Sequence, residues 1–364
     1  MKTATVIGTG AIGTSVALAL TRRGVTVYLN DIDQAAAKTA EAMGAGSLAA
    51  PDQQVDLAVL AVPPAHVGRV LARAQRDRLA QAYADVASVK KVPHDDIRAM
   101  RADPASYIGS HPLAGTERSG PLAARADLFE GRPWVLTPSA ATGQEVLNSA
   151  LELVALCDGM PVLMDAGVHD HAVALISHAP HLVSSLLAAR LAHAGEESIR
   201  LSGQGVADVT RIAAGDARLW GDILASNASA VADVLDAFAI SVGRTIDALR
   251  AVSDADADPA KRQRAREDIE ELLREGNRGC GRISRKPGTH RTELTTVSVA
   301  ISDKPGALAE LFTSIGEIGV NVEDVRIEHS QDQSRGMVEL VVQKARAGEL
   351  SRRLDAGGAW AASG

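Results

Sequence analysis

The sequence predicts three successive regions: an α/β domain built on a parallel sheet, an all-helical region, and a small α+β domain. Near the N-terminus a short apolar strand leads through a glycine-rich turn into a helix and a second strand. Further along, apolar residues recur with helical spacing, and strand-like alternation returns near the C-terminus. We assign residues 1–165 to the first region, 166–280 to the second, 281–293 to a linker and 294–364 to the third.

Composition excludes several classes of protein. At 364 residues the chain exceeds one ordinary domain, and its 46% apolar and 23% charged residues are typical of a globular protein. A net charge of −7 disfavours general nucleic-acid binding, which needs a basic face. Cys157 and Cys280 are too few for a disulfide framework. With no signal segment and no membrane-length apolar run, we expect a soluble cytoplasmic protein that is not membrane-bound.

The first strand, turn and helix have the spacing of a dinucleotide-binding motif. Thr3–Ile7 reads as a strand, and the sequence Gly-Thr-Gly-Ala-Ile-Gly follows it at once. Gly8 permits the tight turn, Gly10 lets the backbone approach a pyrophosphate, and Gly13 allows the helix to pack against the strand. The helix N-terminus then offers free N–H groups to the phosphates. The predicted contacts with the dinucleotide are Gly8, Gly10, Ala11, Ile12 and Gly13.

An acidic residue follows the second strand and predicts which dinucleotide binds. Asp31 lies just beyond the strand Val25–Leu29, about 20 residues after the glycine turn. Its carboxylate can accept hydrogen bonds from both ribose hydroxyls and would repel a 2′-phosphate. Ile32 and Asp33 follow it, rather than an arginine. We therefore expect NAD rather than NADP.

Two further strands add residues to the same edge of the sheet. Asp56–Val62 and Tyr83–Ala87 have strand-like apolar sequences, and ligands of parallel sheets gather at the carboxyl ends of strands. Val62 and Pro63 would border the cofactor cleft. Ser88 would lie near the reacting end, although an exposed serine without a role is the alternative.

A polar loop after the next strand supplies a candidate base. Tyr107–Gly109 reads as a strand that leads into Ser110 and His111. An imidazole with a pKa of about 6.5 can accept a proton near neutral pH. A structural histidine is the alternative, but the surrounding Pro112 and Gly115 favour an ordered active-site loop. A dinucleotide site combined with such a base indicates a dehydrogenase that removes a hydroxyl proton.

The helical region carries more histidines. His169 and Asp170 open a helical run, either as a pair at the helix start or as catalytic residues. Ser177 and His181 are four residues apart and should share one face, while Pro180 should kink the helix. The histidines lack H-E-x-x-H spacing and have no cysteine nearby, so we expect no metal site.

An arginine in mostly apolar surroundings needs a carboxylate partner. Arg211 could pair with Asp216 or Asp222, or with a substrate acid, and the residues alone favour an internal partner. The apolar stripe from Asp222 to Arg250 is longer than one domain face needs, which indicates helix–helix dimerisation.

Together these motifs resemble those of prephenate dehydrogenases over roughly residues 1–285. The resemblance implies a Rossmann domain, an all-α dimerisation domain, and an active site between them. It implies NAD-dependent oxidative decarboxylation of prephenate to 4-hydroxyphenylpyruvate, in tyrosine biosynthesis, by a homodimer. The motifs that carry it are Gly8 to Gly13, Ser88-Val89-Lys90, Ser110 to Glu117, Ser177 to His181, and Thr210 to Ala213 with Trp220.

The resemblance also implies roles for individual residues. His111 would take the proton of the ring hydroxyl, and Ser88 would orient that hydroxyl. Arg211 would bind a substrate carboxylate, which reverses the preference for an internal partner. Some members oxidise arogenate, the amino analogue, so arogenate remains the alternative substrate, with Glu117 as a candidate partner for its amine. The remaining substrate contacts would be His181, Ser177, Thr116 and Glu117.

The C-terminal region resembles an ACT domain, a small module that binds amino acids. A glycine-rich linker over 276–291 precedes a β-α-β-β-α order of predicted elements, and Trp360 is the one strong candidate for a last strand. The resemblance implies that Gly306 and Asn321 contact an amino-acid effector such as tyrosine.

Two other functions are compatible with parts of the sequence. A 3-hydroxyacid dehydrogenase would have a similar architecture, but such enzymes present a catalytic lysine on the helical domain, and none occurs between Lys91 and Lys261. A non-catalytic sensor of NAD and an amino acid would not need the combination of His111, Ser177, His181 and Arg211.

Overall fold

A computed structural model describes residues 1–115, 118–254, 256, 258–283, 294–302, 304–329, 335–356 and 361–363. The chain divides into two compact units, Met1–Val242 and Gly243–Gly364. The first unit contains both the sheet and most of the helical region.

A seven-stranded sheet forms the centre of the first unit. Its order is β2-β1-β3-β4-β5-β6-β7, and every pairing is parallel except the antiparallel pair β5–β6. The order changes direction at β1 and β3, where ligands of open α/β sheets bind. The strands are β1 (Thr3–Ile7), β2 (Thr26–Asn30), β3 (Val55–Leu60), β4 (Ala80–Asp85), β5 (Tyr107–Pro112), β6 (Pro133–Thr137) and β7 (Met160–Leu163). His111 therefore lies inside β5, whereas the sequence predicted a loop there.

Helices cover both faces of this sheet, as its strands of buried apolar residues require. One core packs α1 and α5 on one face, and a second core packs α3 on the other. The helices are α1 (Ala11–Arg22), α2 (Gln34–Ala42), α3 (Pro64–Arg76), α4 (Lys91–Ala99) and α5 (Gln144–Leu156), with 3₁₀ turns at Pro104–Ser106 and Pro121–Ala123.

The helical region begins with a helix that contains a π-helical turn shortly before Pro180. The segment Ala174–His178 is a π-helical turn, and Pro180 lies in the first turn of the next helix. The missing N–H of Pro180 is thus accommodated by a π-bulge. The helices are α6 (Ala166–Val173), α7 (Ala179–Leu191), α8 (Glu196–Arg200), α9 (Gln204–Thr210), α10 (Ala217–Ser226), α11 (Ala228–Ser253) and α12 (Pro259–Arg282), with a 3₁₀ turn at Arg211–Ala214.

Two predictions for this region are wrong. The predicted single helix from Asp222 to Arg250 is broken at Asn227, where α10 and α11 meet at 93°. The predicted linker does not begin at Gly276, because α12 continues to Arg282.

By length and composition alone the run Ala166–Leu191 could cross a membrane, although four titratable side chains are buried along it: His169, Asp170, His178 and His181.

The second unit contains a four-stranded antiparallel sheet of order β11-β8-β10-β9. Two helices complete a β-α-β-β-α-β arrangement of the ferredoxin-like type. Trp360 lies outside the described residues, and the last strand begins at the residue after it. The elements are β8 (Leu294–Ser302), α13 (Ala307–Ile318), β9 (Val322–His329), β10 (Arg335–Gln343), α14 (Lys344–Ala356) and β11 (Ala361–Ser363).

Candidate active site

The glycine turn between β1 and α1 fits a dinucleotide pyrophosphate. Gly8 has a φ of +102°, and a Cβ there would lie 2.2 Å from the carbonyl oxygen of Ala61. A Cβ at Gly13 would lie 1.9 Å from the carbonyl oxygen of Gly8, so both positions require glycine. At Gly10 a Cβ would have no atom within 4 Å, and no side chain caps the start of α1. The first N–H groups of α1, including those of Ala11 and Ile12, thus remain available for phosphate oxygens.

The Asp31 carboxylate is fixed against the glycine turn. Its Oδ2 accepts hydrogen bonds from the Thr9 amide at 2.5 Å and the Thr9 hydroxyl at 2.8 Å, and its Oδ1 accepts from the Asp33 amide at 2.8 Å. A carboxylate has about four acceptor positions, so one remains for a ribose hydroxyl. The geometry fits NAD, with fewer free positions on Asp31 than the sequence suggested.

The next strand end also borders the glycine turn. The side chain of Val62 lies 3.4 Å from the point where a Cβ on Gly8 would be. Pro63 is exposed and immediately precedes α3. Both residues therefore lie at the carboxyl end of β3, beside the predicted cofactor site.

A buried ionic cluster joins the ends of β4 and β5. Asp85 and Lys90 are fully buried and form an ion pair. Lys90 Nζ also donates to the carbonyl oxygen of Ser110 at 2.5 Å, and the Tyr107 hydroxyl donates to Asp85 Oδ2 at 2.5 Å. The Ser110 hydroxyl donates to the Asp85 carbonyl at 2.5 Å and accepts from Trp134 Nε1 at 3.0 Å. This cluster fixes the backbone on which His111 stands.

Burial shifts the pKa values within this cluster. Desolvation lowers the pKa of Lys90 more than the carboxylates of Asp85 and Asp170 raise it. Burial and the adjacent Asp85 carboxylate raise the pKa of Tyr107 well above its ordinary value. Tyr107 therefore remains a hydrogen-bond donor to Asp85.

A chain of hydrogen bonds links His111 to the first helix of the helical region. His111 Nδ1 lies 2.9 Å from His169 Nε2, and His169 Nδ1 lies 2.8 Å from Asp170 Oδ1. Asp170 also accepts from the backbone amides of Lys90 and Lys91, both at 2.8 Å. The chain therefore connects β5, α6 and the start of α4.

The electrostatics of this chain favour a neutral His111 and an ionised Asp170. Burial, followed by the charges of His169, Lys90 and His178, lowers the pKa of His111 well below its usual value. Burial raises the pKa of Asp170, but the hydrogen bonds from His169, Lys91 and Lys90 outweigh it, and the net shift is downward. His111 can thus act as a base at neutral pH.

Two further histidines lie nearby, one at the end of the π-bulge and one in the helix that follows it. Asn227 Nδ2 donates to the Asp170 carbonyl at 2.8 Å and lies 3.1 Å from His178 Nδ1. His181 stacks on Trp220 with ring centroids 3.6 Å apart. Burial lowers the pKa of both His178 and His181. Among the described residues no cluster of three or more possible ligands has the geometry of a metal site.

The other predicted residues lie in different surroundings. Ser88 is partly buried in the segment between β4 and α4, two residues before Lys90. Ser177 is exposed and His181 is buried, and the π-helical turn ends between them at His178. Arg211 is exposed on the 3₁₀ turn after α9. Thr116 and Glu117 lie outside the described residues.

Sequence reasoning missed the buried partners of the base. It left the role of His169 and Asp170 open, and it gave no role to Asp85, Lys90 or Asn227. A signal was present for three of these residues: Asp85 ends an apolar strand, and the adjacent His169 and Asp170 open an apolar helix. Charged residues in such positions need partners, but the sequence does not specify which.

Two sequence-family models match most of the chain. The model described as prephenate dehydrogenase, nucleotide-binding domain, matches residues 16–163. The model described as prephenate dehydrogenase, dimerization domain, matches residues 165–274.

The chain belongs to the prephenate dehydrogenase family.

Individual relatives agree with this assignment. "Probable prephenate dehydrogenase NovF" of Streptomyces niveus is 40% identical over 359 residues, which cover 97% of this chain and 98% of that protein. Prephenate dehydrogenase of Bacillus subtilis is 25% identical over 92% of this chain and 91% of its own. As a member of this family, the protein is an NAD-dependent oxidoreductase.

Solved structures give the same architecture. Aquifex aeolicus prephenate dehydrogenase, in complex with hydroxyphenyl propionate and NAD+, superimposes with a TM-score of 0.65 at 25% identity and covers 76% of this chain and 96% of its own. Synechocystis arogenate dehydrogenase superimposes with a TM-score of 0.63 at 25% identity and covers 76% of this chain and 99% of its own. In this prephenate dehydrogenase family member, the Rossmann-like domain and the following helices thus match known structures.

Proposed function

We propose that this protein oxidises and decarboxylates prephenate to 4-hydroxyphenylpyruvate, with His111 as the base. The observation that carries the proposal is the hydrogen-bond chain from His111 to His169 and Asp170, at the sheet edge that also holds the glycine turn. His111 Nε2 makes no hydrogen bond within the described part of the chain. That nitrogen is therefore available to a substrate hydroxyl.

The chain's own groups suffice for the proton transfers. His111 Nε2 accepts the ring hydroxyl proton, so an O–H bond breaks and an N–H bond forms. When bound, NAD supplies the acceptor for the hydride that leaves the ring carbon bearing this hydroxyl. The carboxylate then leaves as carbon dioxide, its bonding electrons make the ring aromatic, and His111 returns its proton to the phenolate oxygen. Because aromatisation drives the loss of carbon dioxide, no metal is needed.

Substrate recognition is assigned to cationic and aromatic groups. Arg211 is the proposed bidentate partner of a substrate carboxylate. The stacked pair of His181 and Trp220 is the proposed neighbour of the ring, and Ser88 the proposed partner of its hydroxyl. Ser177, Thr116 and Glu117 complete the proposed set.

We further propose that the protein is a homodimer. Large apolar side chains are exposed along α7 and along α11, and exposed apolar patches often mark protein–protein interfaces. The second family model also describes a dimerization domain. The exposed residues include Leu186, Leu187, Phe238, Val242, Ile246 and Leu249.

The C-terminal unit is proposed to be an ACT-like regulatory module that binds an amino acid such as tyrosine. Its strand order and the glycine at the start of α13 support the proposal. Gly306 has a φ of +93° directly before α13, and Asn321 precedes β9 with its amide donating to Glu323 at 2.6 Å. Tyrosine should change the rate of the wild-type enzyme, and Asn321→Ala should reduce that response without altering the basal rate. Equal rates with and without tyrosine would contradict tyrosine as the effector.

We also propose a cytoplasmic location. Cys157 is buried, its desolvation raises its pKa to about 12, and Cys280 is exposed; both are free thiols. Free thiols are usual in a reducing compartment.

The test of the reaction is NADH formation at 340 nm with prephenate and, separately, with arogenate. We expect turnover of prephenate, and His111→Asn should lower kcat by about 10²- to 10⁴-fold, the usual contribution of a general base. Turnover of arogenate alone would assign the amino analogue as substrate. Failure with both substrates while NAD still binds would exclude this function.

A further inference from the structure

We propose that His169 and Asp170 are positioning residues that hold His111 in its Nδ1–H tautomer, so that His111 Nε2 takes the substrate proton. This inference rests on the proposed function, because it assigns the base a particular nitrogen and a particular protonation state. It adds two residues, both from α6, to a reaction whose base stands on β5.

The first step of the argument is the fixed acceptor at the end of the chain. Asp170 is buried and accepts hydrogen bonds from the backbone amides of Lys90 and Lys91, where α4 begins. No side chain caps that helix from within its own segment. The positive end of the helix dipole and the two amides therefore keep a carboxylate here in its ionised form.

The second step is the direction of each hydrogen bond. An ionised carboxylate only accepts, so His169 Nδ1 must donate to Asp170 Oδ1 over 2.8 Å. An imidazole that carries a single proton has one donor and one acceptor nitrogen, so with that proton on Nδ1 the Nε2 of His169 accepts. His111 Nδ1 must then donate to it over 2.9 Å, and His111 Nε2 carries the lone pair.

The third step is the surroundings of the pair. The two rings meet edge to face at 78°, and besides His169 the nearby basic groups are Lys90 and His178. Burial and these neighbours lower the pKa of His111, which disfavours a doubly protonated ring before substrate arrives. After proton transfer, the positive charge on His111 is stabilised through His169 by the Asp170 carboxylate.

Two substitutions of His169 separate positioning from simple packing. In His169→Asn the amide can take the place of Nδ1 and keep the bond to Asp170, but it cannot reach His111. In His169→Gln the amide oxygen can take the place of Nε2 and accept from His111, but the contact with Asp170 is lost. If positioning matters, kcat falls by about 10²-fold in the Asn variant and clearly less in the Gln variant, with KM for NAD unchanged in both.

A purely structural role gives a different result. Since the Asn variant keeps the bond to the buried carboxylate, it would then be at least as active as the Gln variant, and this outcome would overturn the proposal. Thermal denaturation and NADH binding check that both variants are folded. Absence of turnover in the wild-type protein would instead count against the proposed function.

A second measurement needs no active variant. Two-bond ¹H–¹⁵N spectra of the wild-type protein with ¹⁵N-labelled histidine report which ring nitrogen carries the proton, and His111→Asn assigns the His111 signal. Near pH 8 we expect His111 to be protonated on Nδ1. Protonation on Nε2 would refute the inference even if both His169 variants failed to fold.

Discussion

The sheet unit and the C-terminal unit differ in what they bury. In the described part of the chain, every buried polar or charged side chain belongs to Met1–Val242, including Asp85, Lys90, Asp170 and three histidines. The core of the C-terminal unit consists of valine, leucine, isoleucine and alanine. Burying charges is costly unless they are paired, so a unit that does so has a use for them. The difference places the paired buried charges, and with them the proposed chemistry, in the first unit.

The largest loss of stability is expected when the buried Asp85 carboxylate loses its ion-pair partner. Lys90→Met leaves the Asp85 carboxylate buried with no counter-charge, which should reduce the free energy of unfolding by about 3–5 kcal/mol. Urea denaturation followed by far-UV circular dichroism measures it. The matched control is Arg73→Ala, which breaks the exposed 3.8 Å pair with Asp77 and should cost at most about 1 kcal/mol. Equal losses of unfolding free energy in the two variants would mean that the buried pair stabilises the fold no more than the exposed pair does.

The C-terminal unit should lose stability without losing catalysis. Leu340 is fully buried at the centre of β10, and Leu340→Ala should destabilise that unit by about 2–5 kcal/mol. The rate of NADH formation without effector should remain within about twofold of wild type, because no group of this unit takes part in the proposed chemistry. Met337→Ala, on the exposed face of the same strand, is the control and should change stability by less than about 1 kcal/mol. A large loss of basal rate in Leu340→Ala alone would show that the two units are coupled.

The predictable parts of the molecule are those determined by local sequence. The strand Thr3–Ile7, the glycine turn and the elements from β8 to α14 follow from periodicity and turn residues, which act within a few positions. The partners of His111 could not be predicted in this way. His169 lies 58 positions away, and the contact exists only because α6 packs against the ends of β5 and α4.

Two features of the helical region were not indicated by helix periodicity. Ser177 is exposed and His181 is buried, a difference that their spacing of four residues did not indicate. Asn227 breaks a stretch whose apolar pattern continues on both sides, and its side chain bonds to the Asp170 carbonyl and His178. Those long-range bonds stabilise a break that helix periodicity alone does not indicate.

As the pH falls, the first unit should lose stability at a higher pH than the second unit. The pKa values of His94, His111, His178 and His181 are lowered, chiefly by burial. The folded state therefore binds fewer protons than the unfolded state below about pH 6.5. Stability is full above that pH and declines as the pH falls toward the lowered values.

Thermal denaturation between pH 8 and pH 5 checks this expectation. The melting temperature of the first unit should fall with pH, and the fall should be smaller in His111→Asn. The acid limb of kcat/KM should lie below pH 6.5, because His111 must be neutral to act as a base. A melting temperature that does not change over this range would contradict the assignment of neutral buried histidines.

The smallest expected effect concerns a buried hydroxyl of the first unit that orients the Asp31 carboxylate for NAD binding. Thr9 is fully buried, and its hydroxyl donates to Asp31 Oδ2 at 2.8 Å. Thr9→Val keeps the shape but removes this donor, so Asp31 should be less well oriented toward the ribose. Losing one such bond costs about 1 kcal/mol, which corresponds to a roughly fivefold higher KM for NAD with kcat unchanged. Thr9→Ser keeps the hydroxyl and should behave like wild type in steady-state kinetics. If the valine and serine variants have the same KM, the carboxylate is oriented by the Thr9 amide alone, and the buried hydroxyl serves packing only.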